Sequence, residues 1–303
     1  MSKLILSKIR KIIGILIVLI LFYYLGKSLY QNWQVIEAAK LSFNLYYLII
    51  SYVFILLNFL LAAYTWQRNL FMLKENISLI TAVRINALAT LPKYAPGKVW
   101  GILGKVYLAK KEGITEQASV ISISLETILV LLGGVILFLL TASPVVKGKI
   151  SYTYYLFIIP ICLIITYPKI LIGITNFFLR IFKRPLITFM PKYLQIIELL
   201  TLYTLSWVLQ GIGIYFLIKS FYPIALNKVL LIAGLHAFSW VIGFVSIITP
   251  AGLGIKEGIF SYFLKFIFPS GIAILIALLV RIWATIAELL FFLAFAKNIK
   301  KYL

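Results

Sequence analysis

The sequence predicts an all-α fold: a polytopic membrane helical bundle of about eight transmembrane elements, two of its segments broken by Pro and Gly. Three observations carry that expectation. Hydrophobic residues make up 63% of the 303 positions and the mean hydropathy is +1.07, which does not suit a water-soluble core. Charged residues make up only 12%, where soluble domains carry about 25%. The apolar residues also gather in runs near the roughly 20 that cross a bilayer as helix.

The elements follow from these runs. Lys3, Lys8, Arg10 and Lys11 precede an apolar run over 12–25. No small-x-small cleavage site follows, so the run reads as a retained first helix entering from the cytoplasm rather than a signal peptide. The second span is 45–66, and Arg68 and Lys74 mark its return to the basic side. Over 77–109 the apolar stretches are short and interrupted at Pro92, Pro96 and Gly97, which fits re-entrant or interfacial helices better than spans. The third span is 118–142 and a shorter fourth is 151–167. The basic stretch 169–192, amphipathic around 177–182, is expected on the membrane surface.

Spans five and six are 196–218 and 229–248, the sixth ending at Thr249-Pro250-Ala251-Gly252. Only 14 residues, 255–268, then precede Pro269, about 21 Å of helix against a core of about 30 Å, so a half-span or broken helix is expected. The last span is 272–296, followed by Lys297, Lys300 and Lys301. With eight crossings and both termini cytoplasmic, only Lys27, Lys40, Lys147, Lys149, Lys219 and Lys228 fall outside, a strong positive-inside bias. The chain reads as one integral domain, 1–303. Pro96-Gly97-Lys98 and Pro250-Ala251-Gly252 each follow an outside-to-inside helix, a faint echo that suggests a duplication of 1–168 and 192–303.

The inventory excludes much chemistry. One cysteine, Cys162, and one histidine, His236, build no Cys/His metal site, disulfide or Ser-His-Asp relay. Aspartate is absent and all eight acids are glutamates. No Walker loop is present, and no cofactor or metal is expected. The net charge of +21 is read as cytoplasmic loops facing anionic lipid, not as a nucleic-acid surface.

Charged groups inside a membrane cost about 2.5 to 3.5 kcal/mol each on insertion scales, so those present need a reason. Glu126 lies in the third span, and Arg281 and Glu288 share one face of the last, Arg281 about 15 Å deep. Either Arg281 pairs with Glu126 or Glu288 to fix packing, or these groups line a polar cavity. In 249–258, Gly252 and Gly254 permit a tight turn, and a new helix starts near Lys256 with unpaired amides that attract anions. Its Glu257 is either an ordinary N-terminal acid or part of that site. The first broken segment offers Arg84, Asn86, Lys93, Tyr94, Gly97, Lys98, Trp100 and Lys105, which suit a lipid phosphate and equally an aromatic belt with snorkelling lysines. His236 reads as a hydrogen-bonded packing residue rather than a proton relay.

Tyr94-x-Pro96-Gly97-Lys98-Val99-Trp100-Gly101, a basic stretch running to Gly113, the Glu126 helix, Thr249-Pro250-x-Gly252-x-Gly254-x-x-Glu257-Gly258 and a late Arg281 occur in that order. The combination, over nearly the whole chain, resembles the transmembrane domain family of lysylphosphatidylglycerol synthases. Many members carry Glu-Arg where this chain has Glu126-Thr127, so no role for that arginine carries over. The resemblance implies lipid handling. In two-domain members aminoacyl transfer belongs to a separate soluble domain and the membrane part is linked to moving lipid between leaflets. With the chain ending at Leu303, a stand-alone flippase-like protein of the cell membrane is expected rather than a synthase.

The leading expectation is therefore translocation or binding of an anionic phospholipid or polyprenyl-linked glycan in cell-envelope assembly. The residues expected to bind it are Arg84, Tyr94, Gly97, Lys98, Lys105, Glu126, Gly252, Gly254, Lys256, Glu257 and Arg281. Two alternatives stand beside it: an enzyme acting on lipid-linked sugars with Glu257 or Glu126 as general base, and a non-catalytic partner of a glycosyltransferase.

Overall fold

The computed structural model describes residues 42–90, 99–141, 164–181, 183–246 and 254–296, together with 23, 26, 27, 30, 31, 33–38, 160–162 and 252. Its helices are α1 (Trp33–Ala38), α2 (Leu45–Met72), α3 (Leu79–Thr90), α4 (Val99–Lys111), α5 (Glu116–Thr141), α6 (Pro168–Ile181), α7 (Tyr193–Lys219), α8 (Val229–Val245), α9 (Ile255–Leu264) and α10 (Ser270–Ala296). Among the described residues there is no strand. Five elements are long and apolar enough to cross a bilayer: α2, α5, α7, α10, and α8 with the 3-10 turn Leu226–Lys228 that leads into it. The chain is a multi-pass membrane protein built from helices.

These five match the expected second, third, fifth, sixth and last spans. The expected first span at 12–25 and most of the fourth at 151–167 lie outside the described residues. The boundaries move outward where no breaker stops the helix. The second span runs on to Met72, because the residues after Trp66 form helix readily and the first positive φ is at Lys74. At its other end Asn44 caps it, its Oδ1 accepting from the Tyr46 amide at 3.0 Å. The segment at 77–109 is two helices of 12 and 13 residues, each under about 20 Å and too short for the core. The expected amphipathic stretch holds α6, which buries Leu171, Ile172, Thr175 and Leu179 and exposes Phe177, Phe178 and Ile181.

α2 and α7 pack antiparallel as the most extensive helix pair. The Asn44 amide donates to the Ser220 carbonyl at one end, and Arg68 Nε lies 2.8 Å from Glu198 Oε1 at the other. The main core joins α2, α7, α8, α9 and α10 through Ile55, Ile214, Leu235, Phe260, Ile276 and Trp283. A second core joins α5, α6 and α7 through Leu125, Leu129, Leu171, Leu199 and Tyr203. Lipid is as apolar as this interior, so close backbone approach and interhelical hydrogen bonds hold the helices together. A side chain at Gly211 would collide with Ala233 on α8, and Trp283 Nε1 donates to Ser51 Oγ at 3.1 Å. Hydroxyls within the spans satisfy themselves locally: Thr65, Thr127, Thr204 and Ser239 each donate to a carbonyl four residues back.

Candidate functional site

Two groups of buried charges stand out. The first is formed by α2, α4 and α5. Lys105 on α4 is 8% exposed, and its Nζ lies 2.8 Å from Glu126 Oε2 on α5 and 4.3 Å from the centre of the Trp66 ring. A direct charge-assisted hydrogen bond and a cation-π contact together account for that ammonium. The ring is itself fixed, since Trp66 Nε1 donates to Ser122 Oγ at 3.1 Å. Asn69 Nδ2 donates to the Ser122 carbonyl at 2.8 Å, tying α2 to α5 a turn further along. The Tyr203 hydroxyl on α7 and Ser119 Oγ on α5 are buried here without hydrogen bonds.

The second group occupies the corner between α8, α9 and α10. Gly252 and Gly254 have φ of 69° and 80°, in the left-handed region that favours glycine. At Gly252 a Cβ would also meet the Gly243 carbonyl oxygen of α8 at 2.8 Å, so the turn is pressed against that helix. α9 starts immediately afterwards. Glu257 reaches back so that its Oε2 accepts from the Gly254 amide at 2.7 Å, which closes the first turn. The expected role as an N-terminal acid is therefore filled by one oxygen only. The other, Oε1, is buried without a hydrogen bond and lies 3.7 Å from Arg281 Nη1 of α10. Glu257 is 2% exposed and the Arg281 side chain 19%. His236, Lys256, Glu257, Phe260, Ala277, Val280 and Arg281 line a cavity of about 10 Å³.

The two groups bear on two expectations. Arg281 was expected either to pair with Glu126 or Glu288 or to line a polar cavity; Lys105 holds Glu126, while Arg281 lines a cavity with Glu257, whose Oε1 lies 3.7 Å away across the α9–α10 corner. α4 and α5 are joined by a short loop that brings Lys105 beside Glu126, whereas Arg281 lies on a helix packed against α9. His236 was expected to be hydrogen-bonded. It is a packing residue, its ring edge-on to Trp207 at 6.2 Å and to Phe260 at 5.2 Å, but both ring nitrogens are buried without a hydrogen bond.

Of the other expected residues, Arg84 lies on α3, half-buried, with its Nε in no hydrogen bond. Tyr94, Gly97 and Lys98 lie outside the described residues, as do Lys93 and Pro96. α3 packs against α10, so the helix that enters the first broken segment touches the helix that carries Arg281. Sequence reasoning missed Trp66, Asn69, Ser122 and Tyr203. The signal was the cluster of polar residues Gln67, Arg68 and Asn69 closing an apolar span, which reads as a simple span end until its partner helix is known.

A family model described as the lysylphosphatidylglycerol synthase TM region matches residues 11–291. No curated protein matches the chain.

Proposed function

The chain belongs to the lysylphosphatidylglycerol synthase TM-region family, a membrane protein of lipid and cell-envelope processes, and from that premise we propose that it binds an anionic lipid head group and moves the lipid between leaflets. The observation that carries the reading is the placing of Arg281 and Lys256 on one cavity at the broken corner. At 3.7 Å Arg281 stands further from Glu257 than the 2.7 to 2.9 Å of a direct charge-assisted bond, beside a helix start that itself favours anions. Among the described residues that line the corner, Lys256 and Arg281 are cations, a pairing that suits a phosphate. Broken helices beside cationic groups are also how many transporters place their substrate.

In this reading Gly252, Gly254, Lys256, Glu257 and Arg281 form the head-group site. Arg84 lies on α3, the helix that packs against α10 and leads toward the first broken segment. Lys105 and Glu126, already satisfied by each other and by Trp66, serve as a brace that holds α4 and α5 against α2. Both termini lie on the cytoplasmic side of the cell membrane. The lipid is an anionic phospholipid or a polyprenyl-linked glycan, and no chemical step on it is assigned to this chain.

Proteoliposomes loaded with a panel of fluorescent phospholipids and polyprenyl phosphates test the proposal. Exchange between leaflets faster than in empty liposomes is expected for at least one anionic lipid. Exchange equal to empty liposomes for every member of the panel overturns it. Glu257→Gln is expected to slow the exchange without stopping it, whereas complete loss with binding intact would point to an enzyme.

A further inference from the structure

The corner between α8, α9 and α10 holds more than a phosphate site needs. The described groups that line its cavity and can carry charge are His236 from α8, Lys256 and Glu257 from α9, and Arg281 from α10. Three polar atoms there are buried without hydrogen bonds: both ring nitrogens of His236, a residue 1% exposed, and Oε1 of Glu257. Buried polar atoms are almost always paired in folded proteins, so three left over around one cavity point to a group that comes and goes. At about 10 Å³ the cavity has room for roughly one water molecule.

An anion that takes Arg281 competes with the Glu257 carboxylate for Nη1. Oε2 is already committed to the Gly254 amide, so Glu257 stays in the corner and faces the incoming negative charge. Two negative charges side by side in a buried corner repel, and a proton on the carboxylate relieves the repulsion. A protonated Oε1 becomes a donor, and His236 offers a neutral ring nitrogen to accept from it, directly or through the one water.

We propose that anionic head-group binding at Arg281 is coupled to protonation of Glu257, with His236 as the hydrogen-bond acceptor of the acid. The inference rests on the lipid-binding reading and adds to it a coupling ion. The proton comes from buffer acid in bulk water and ends on Glu257 Oε1; no other bond forms or breaks. An anionic lipid then enters without meeting a second negative charge, and a pH gradient can bias its movement.

Calorimetric titration of dihexanoyl phosphatidylglycerol into the detergent-solubilised protein, repeated in buffers of different ionisation enthalpy, counts the protons taken up. The expected result is roughly one proton per lipid for the wild type. Glu257→Gln is expected to bind the same lipid with no uptake, and Glu198→Gln, in the exposed pair with Arg68, to keep the wild-type count. Binding without proton uptake in the wild type, or undiminished uptake in Glu257→Gln, overturns the coupling and leaves lipid binding standing. Absence of binding for this lipid and for a polyprenyl phosphate overturns both. The wild-type count decides the matter even if the variant does not fold.

Discussion

Two buried ion pairs among the described residues are built to opposite specifications. Lys105 and Glu126 meet at 2.8 Å under a Trp ring that is itself hydrogen-bonded, so the ammonium has little left to offer a ligand. Arg281 and Glu257 stand 3.7 Å apart beside a cavity, with Oε1 and a neighbouring histidine lacking hydrogen bonds. Both are cation-carboxylate pairs between packed helices, and composition does not distinguish them. The difference teaches that an intramembrane charge is a brace or a site according to how completely its neighbours satisfy it.

Breaking one partner tests the contrast most severely. Lys105→Met leaves Glu126 without its cation and is expected to destabilise the protein by about 3 to 5 kcal/mol, while Lys105→Met with Glu126→Leu recovers most of that loss. Reversible unfolding in mixed detergent reads both. A double variant as unstable as the single one would remove the brace from the account.

The next largest effect is expected at Gly252→Ala, where a left-handed φ and a Cβ 2.8 Å from the Gly243 carbonyl oxygen act together. A loss of about 2 to 3 kcal/mol is expected, measured by the same unfolding transition. Leaflet exchange should fall with it, because the turn aims both Glu257 and α9.

At the loose pair the expected signature is binding rather than stability. Arg281→Met combined with Glu257→Gln removes both charges together and should shift stability by only about 1 kcal/mol. Its affinity for anionic lipid is expected to drop at least about tenfold, near 1.4 kcal/mol. Titration with a short-chain anionic lipid measures it, and wild-type affinity in this variant would make the second pair a brace like the first.

The smallest effect sharpens the comparison from the other side. Ser122→Ala removes the acceptor that holds the Trp66 ring over Lys105 and should cost about 1 kcal/mol with no change in lipid affinity. A change in affinity there would mean that the tight pair also touches the substrate.

The amino-acid sequence by itself determined the class of the protein and where its long helices run. In lipid every backbone amide and carbonyl must be satisfied within the helix, so a run of apolar residues is sufficient to specify a span. The turn before α9 was legible for the same local reason: the glycines at 252 and 254 adopt conformations that glycine takes readily, while Pro92, Pro96, Gly97 and Pro250 lie outside the described residues. Tertiary structure decided the partners. Lipid and protein interior are equally apolar, so hydropathy does not tell which face of α2 or α10 meets a neighbour. Lys105 finds Glu126 across a helix hairpin, Arg281 finds Glu257 across a corner, and His236 is drawn into that corner by the packing of α8 on α9. Each of those meetings depends on helix rotation, which is set by close-packed shape and not by any property of one segment alone.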